Sequence, residues 1–417
     1  MAAKHGMSAA AETDRTAAGV PAEPFDRLFL RFLRFGCLAW GGPLPQIAML
    51  RQVFVEEEKW VSSEHFNRVL AVYQVLPGPE AHEMCVYFGM LSRGRLGGLL
   101  AGLGFMLPGF VLMFALSWLY VRYGLDTGGV AGMLFASVQA AVAALIARAT
   151  ARIGSHVLLD SWLWTIGVLA FVAQLLAAPF AMTLAAGGLI YLLARVAGPR
   201  IGALVAMACG TSLAIFAYQS GLEIAALRAA TEGPGAPATH AVSAGALFIA
   251  GLKAGLLTFG GAYTAIPLLQ NDAVVKGSWM TNAQFLDGLG LSGLLPAPLI
   301  IFGTFVGYIG GGPLGAVLIT AGIFLPAFAF TLVAHEPLEH FVHQPRIRAF
   351  LDGVTAAVVG LIAGTAITLI LPAMSRWTTA TLFVLALGAL FYWNHKLLIP
   401  TVIAAAAALG WAAHVFA

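Results

Sequence analysis

Glu80, His82 and Glu83 stand in an apolar run directly after Pro77-Gly78-Pro79. Carboxylates beside an imidazole can take up and release protons, and histidine titrates near neutrality. The Glu-x-His-Glu spacing puts Glu80 and Glu83 near one helical face and His82 off it, which is poor geometry for a metal ion. A short polar loop outside the membrane is the competing reading. Arg34 and Lys253 are likewise charged residues in apolar sequence. A charge at the centre of a membrane span costs about 2.5–3.5 kcal/mol on insertion scales, so its retention points to use. Each lies seven residues before a Gly-Gly pair, Gly41-Gly42 or Gly260-Gly261. That is about two helical turns, roughly 10 Å. Such a pair could neutralise a doubly charged anion. The alternative is snorkelling to headgroups, which suits Lys253 least because it lies deep in its run. Gln46, Gln74 and Thr258 are uncharged hydrogen-bonding candidates nearby, each of which could equally be a packing residue.

A stretch that occurs twice must position these residues. The first copy holds Phe35-Gly36, Trp40-Gly41-Gly42-Pro43, Trp60, Phe66 and Leu76-Pro77-Gly78-Pro79. The second holds Leu257-Thr258-Phe259-Gly260-Gly261, Trp279, Phe285 and Leu295-Pro296-Ala297-Pro298. One offset aligns them: 260 − 41, 279 − 60, 285 − 66 and 296 − 77 all equal 219. The match continues at Phe105–Phe110 with Ile323–Phe328, and at Val138–Val142 with Val354–Val358, offset 216. Paired interruptions in the two halves of an apolar chain mark a transport site. A helix broken inside the bilayer exposes free N–H groups at the start of its next half, and these favour an anion. Glycine permits close approach, and proline begins a helix without wasting a donor. The plainer alternative is that the breaks only kink helices for packing. Gly41, Gly42, Gln46, Pro77, Gly78, Pro79, Thr258, Gly260, Gly261, Pro296 and Pro298, with Arg34 and Lys253, are therefore the candidate binding residues. Glu80, His82 and Glu83 are the candidate proton carriers.

Composition sets the class. Of the 417 residues 60% are hydrophobic and only 10% charged, with mean hydropathy +0.87. Soluble domains carry about 25% charged residues, so the chain reads as an all-α polytopic membrane protein with no room for a soluble domain. The net charge of +3 leaves no nucleic-acid footprint. Cys37, Cys85 and Cys209 lie far apart in apolar sequence and read as packed thiols. Residues 1–24 read as a disordered tail in which no apolar core follows the first basic residue, so no cleavable signal is expected. Residues 25–220 form a first transmembrane repeat, 221–242 a linker rich in turn formers, and 243–417 a second repeat. His335, His340 and His343 near Glu336 and Glu339 could bind metal, but an ordinary loop is the simpler reading. No cofactor and no metal are expected, and no nucleotide-binding signature occurs.

Cytoplasmic loops collect Lys and Arg. With 13 crossings and a cytoplasmic N-terminus, Arg93, Arg95, Arg148, Arg152, Arg195, Arg200, Lys276, Arg346, Arg348 and Lys396 fall inside. Arg51, Lys59, Arg122, Arg228 and Arg376 fall outside. Seven crossings before the second half would invert one repeat against the other and put the C-terminus outside. The count shifts if a broken segment is a re-entrant hairpin.

On the Gly-Gly-Pro and Pro-x-Pro motifs quoted above, with Tyr87-Phe88-Gly89 behind the first, the chain resembles the chromate ion transporter family in its long, two-repeat form. The resemblance covers nearly everything from about residue 26. It implies export of chromate, and often recognition of sulfate, from the cytoplasm across a plasma or bacterial inner membrane, with chromate resistance as the result. It departs at Ala297, where the first copy has Gly78, and at Leu299, where it has Glu80. The reading is thus a non-enzymatic secondary transporter in the lipid bilayer, coupled to an ion, with the proton as candidate. A homodimer is a candidate assembly. The alternatives are an intramembrane enzyme or an anion channel using Glu80, His82 and Glu83.

Overall fold

A computed structural model describes residues 20–40, 42–124, 129–219, 242–259, 262–342, 344–374, 376–393 and 397–415. Among these the chain is helical throughout, with fifteen α-helices. The first half opens with α1 (Phe25–Cys37), α2 (Pro43–Arg51) running into a π-helical turn (Gln52–Glu57), α3 (Ser63–Val75) and α4 (Glu80–Tyr123). The second opens in the same way with α9 (Ala244–Leu256), α10 (Ala265–Gln270) and its π-helical turn (Asn271–Lys276), α11 (Asn282–Gly293) and α12 (Phe302–Val342). Helices α5 (Gly129–Val157), α6 (Ser161–Leu175) and α7 (Phe180–Val196) correspond to α13 (Pro345–Ala373), α14 (Trp377–Tyr392) and α15 (Leu398–Val415). Between the halves lies α8 (Pro199–Gln219), which has no counterpart.

The broken segments do not cross the membrane; they turn back. Helix α1 has 13 residues, about 20 Å against a hydrocarbon core of about 30 Å. The chain then returns along it: Phe54 packs on Phe32 and Phe35 at 6.0 and 5.8 Å, and Arg31 reaches Glu58 at 2.5 Å and the Trp60 ring. Helix α3 and the first part of α4 form a second hairpin, with His65 Nε2 2.6 Å from Tyr87 Oη and Phe66 beside Phe88 at 6.1 Å. The tips of the hairpins are Ala39–Gly42 and Leu76–Pro79. At Arg93 and Gly94 the chain reverses again. Residues 80–92 lie antiparallel to residues 95–123, with Gly89 against Ala101 and Val86 against Gly98 and Gly102. Only the later part of α4 spans the bilayer. The second half repeats this at Gly311 and Gly312, where Thr304 and Thr320 share a hydrogen bond of 2.8 Å across the reversal.

The 13-crossing expectation is therefore corrected. Each half loses two crossings because both of its broken segments are re-entrant. Losing two keeps the parity odd, so the inverted relation survives. The long helices show it directly: Gly98 packs on Leu332 and Gly102 on Phe328, so α4 and α12 run antiparallel although they are equivalent. A two-fold axis that inverts equivalent spanning helices lies in the membrane plane. We call the side on which residues 20–25 lie the near face. There Ser92 donates to Pro21 O at 2.7 Å and Arg93 to Glu23 O at 2.6 Å. The hairpins of the second half rise from the far face.

The halves also exchange elements. Helix α5 packs on α14 and α15, and α13 packs on α6 and α7. Glycines let these backbones touch, Gly353 meeting Gly187 and Gly360 meeting Gly167, as membrane helices without a hydrophobic driving force require.

The reversals rest on one backbone state. Gly94 has φ 61°, ψ −159° and Gly312 has φ 60°, ψ −151°, a region essentially restricted to glycine that costs other residues about 1–3 kcal/mol. Gly94→Ala and Gly312→Ala should each lose stability by that amount, although no atom lies within 4 Å of the added methyl. Gly245→Ala has the same free space in helical backbone and should be neutral or slightly stabilising. Thermal melts of purified protein followed by tryptophan fluorescence test this. Equal Tm values for Gly94→Ala and Gly245→Ala would show that the reversal has no need of glycine.

Candidate functional site

The hairpin tips meet in the middle of the molecule. Gly78 N donates to Thr258 O at 2.9 Å, joining the second tip of the first half to the first tip of the second half. The pseudo-symmetric bond, from Ala297 N to Ala39 O, is absent. Ala297 N bonds to Leu295 O at 2.9 Å, and Ala39 O accepts from Gln46 Nε2 at 2.9 Å. Gln46 is buried, and so is Thr258, whose hydroxyl donates to Ala254 O at 2.5 Å. Gly42, with φ 86°, starts α2 just before Pro43. Pro77 is half-buried, and Pro79, Pro296 and Pro298 are buried. Ala297 packs directly on Gly109 of α4. Gly41, Gly260 and Gly261 lie outside the described residues, as do the side chains of the His335–His343 cluster.

Glu80 begins α4 at the tip, and Glu83 lies one turn on. Both are buried, and neither Glu83 oxygen has a hydrogen-bond partner among the described residues. Gly78 makes room for that carboxyl: a Cβ on Gly78 would stand 2.6 Å from Glu83 Oε1. His82 is fully buried between the two halves, its ring 4.9 Å from Phe324 and 4.8 Å from Phe328. At the equivalent places the second half has Leu299, Ile301 and Phe302. The ionisable cluster therefore exists once, on one side of a symmetric frame.

A cavity of about 1150 Å³ leads from the near face to these tips. Its inner end is lined by Pro43, Gln74, Glu80 and Tyr263. Its walls carry Arg148, Arg152, Arg195 and Arg348. Helices α5, α7 and α13 deliver these arginines because their near-face ends converge there. Asp160 caps α6 through the N–H groups of Trp162 and Leu163, both at 2.9 Å, and receives Arg195 at 2.7 Å and the Tyr191 hydroxyl at 2.8 Å. Burial lifts the Asp160 carboxyl, but the Leu163 N–H, Tyr191, Arg195 and the Trp162 N–H together hold it below its usual range. Arg148, Arg152 and Arg348 form no ion pair among the described residues. Four arginines thus share the cavity with Asp160, Asp352 and Glu80, which leaves a surplus of positive charge that raises the local concentration of anions.

Of the residues expected from sequence, the cavity brings Glu80 together with Gln74 and Pro43. Gly78, Gln46 and Thr258 form the tip structure behind them. Arg34 and Lys253 stand elsewhere: Arg34 is exposed on α1, and Lys253, 55% exposed, lies 3.5 Å from Asp272. They do not face one another across the cavity. The wall arginines were not singled out by sequence, where they read as loop charges. Their signal was present in the spacing of Arg148 and Arg152, one turn apart at the end of an apolar helix. Among the described residues no group of three His, Cys, Asp or Glu side chains could hold a metal ion.

Residues 27–218 and 245–411, the two halves found above, each match the chromate transporter family. A chromate transport protein of Pseudomonas aeruginosa is 53% identical over 96% of this chain and 95% of that protein. A chromate transport protein of Cupriavidus metallidurans is 31% identical over 98% of this chain and 99% of that protein. No solved structure matches the chain. With both halves of an inverted, re-entrant membrane fold accounted for by one family across nearly the whole sequence, the chain belongs to the chromate transporter family.

Proposed function

We propose that the protein exports chromate, or a tetrahedral dianion like it, from the cytoplasm, and that this movement is coupled to protons. The observation that carries this is the arginine-walled cavity that ends on Glu80 and the start of α2. A dianion entering it meets positive charge along the walls, then the N-terminal ends of two half-helices, whose dipoles favour it. Gly42 allows its close approach to backbone, and the Gly78–Thr258 bond and Gln46 hold the tips in place. Glu80 has access to the cavity, while Glu83 and His82 lie behind it. We assign the proton to this cluster. A buried carboxyl with no partner is expensive to keep charged, and its negative charge would repel the anion beside it, so anion binding favours the protonated carboxyl and links the two occupancies.

The near face is assigned to the cytoplasm. Re-entrant hairpins move Arg51 and Lys59 to the same side as Arg93, Arg95, Arg148, Arg152, Arg195, Arg200, Arg346 and Arg348, and move Lys276 to the opposite side, where Arg122 and Arg376 already lie. The bias toward positive charge inside is sharper than it was for 13 crossings. The cavity then opens toward the compartment from which an exporter loads.

Three outcomes follow. Everted membrane vesicles should accumulate radiolabelled chromate at a rate that responds to an imposed pH gradient, with sulfate competing; uptake indifferent to that gradient would exclude proton coupling. Glu80→Gln should flatten the pH dependence of that uptake more than it weakens chromate binding, and an unchanged pH profile would place the coupling elsewhere. Glu57→Cys and Lys276→Cys occupy equivalent exposed positions of the two π-helical turns, since 276 − 57 is 219. An impermeant maleimide added to intact cells should label Lys276→Cys alone. Labelling of both, or of Glu57→Cys alone, would contradict the inverted repeat or its orientation.

A further inference from the structure

The repeat that builds the site twice arms only one side of it. The helices α5 and α13 are equivalent at an offset of 216, as Val138–Val142 and Val354–Val358 show. That offset pairs Arg148 with Gly364 and Arg152 with Thr368. In the reverse direction Arg348 pairs with Gly132. Arg148 and Arg152 line the open cavity. Thr368 and its neighbours Thr365 and Leu369 are buried near the far face, where Gln174 donates to Thr365 at 3.1 Å. An inverted repeat alternates access by letting each half take up the arrangement of the other. When the far side opens, the wall formed by α13 will then present glycine and threonine where α5 presents arginines.

We infer that Arg148 and Arg152, with Arg348 facing them, form a capture subsite for tetrahedral dianions that exists only in the inward-open state. This rests on the proposed export reading and goes beyond it. The affinity of the carrier differs between its two faces because of wall residues that touch the anion before it reaches the tips. The Arg148–Arg152 pair is not neutralised, although Asp352 lines the same cavity one turn after Arg348. Arg195 is held by Asp160 and Tyr191, but Arg148 and Arg152 have no such partner among the described residues. Two like charges one turn apart on a helix repel, and a dianion bridging them relieves that repulsion. Arginine suits the task because its planar fork pairs with two oxygens of such an ion. One-sided affinity does not supply the driving force, which remains with the coupled ion. It lets the carrier load from a dilute cytoplasm and unload against a higher outside concentration.

The test is Arg148→Gln/Arg152→Gln, with Arg148→Lys/Arg152→Lys as the charge-preserving control. Chromate–chromate exchange is measured with label entering everted vesicles through the near face, and right-side-out vesicles through the far face. The Gln pair should raise KM for near-face entry by about tenfold or more and leave KM for far-face entry close to wild type. The Lys pair should retain much of the near-face affinity. An equal rise on both faces would place these arginines at the central site, and no rise on either face would remove the subsite; both overturn the inference. If the wild type moves no chromate, the export reading fails on its own. The same comparison made with labelled sulfate then decides the one-sidedness. If the Gln pair fails to insert, as judged by its elution with the wild type in detergent, the single variants Arg148→Gln and Arg152→Gln carry the comparison.

Discussion

A chain that turns back halfway across a bilayer must hide the turn. Every unpaired backbone group left in hydrocarbon costs several kcal/mol, and this fold has four such turns. It covers them by bringing them together. The tip at Gly78 bonds to the tip at Thr258 across the two halves, and the tip at Ala297 rests on Gly109 of the opposite long helix. Neither half could do this alone, because each supplies the lid for the other. The exchange of α5 and α13 between halves follows the same need. The resulting polar centre, walled by protein at mid-membrane, is where a charged substrate can be held without meeting lipid.

Symmetry explains the frame, and its violations explain the chemistry. Glu80, His82 and Glu83 face Leu299, Ile301 and Phe302 across the pseudo-two-fold axis. Gly78, with space for the Glu83 carboxyl, faces Ala297, which fills its space with a methyl. The first half therefore carries the ionisable groups, and the second supplies packing, including Phe324 and Phe328 around His82. Arg148, Arg152 and Arg348 align with Gly364, Thr368 and Gly132 in the other half. Equal backbones thus carry unequal side chains on the two sides of the molecule.

Much of this could be read from residues. The offset of 219 located all four tips, and helix-breaking residues within apolar sequence named the right places. Whether a break bends a spanning helix or reverses it was not legible, because both use the same glycines and prolines. Only long-range contacts such as Phe66 with Phe88 distinguish the two. The reversals at Gly94 and Gly312 were hidden for a related reason, since a single glycine in an apolar run has no local signature of φ or ψ. Arg34 and Lys253 drew attention through matched spacing, yet spacing along a helix does not say which way a side chain faces. The wall arginines escaped because their role depends on three helix ends converging, which no single segment records.

Substrate should reach the hairpin tips through the near-face cavity, with this face in the cytoplasm. Ala48 is exposed on the cavity wall close to Pro43. In a variant free of native cysteines, Ala48→Cys can be probed with an impermeant maleimide in everted and right-side-out vesicles, with and without chromate. Rapid labelling is expected in everted vesicles only, slowed by chromate and by sulfate. Labelling confined to right-side-out vesicles, or a rate indifferent to both anions, would contradict it.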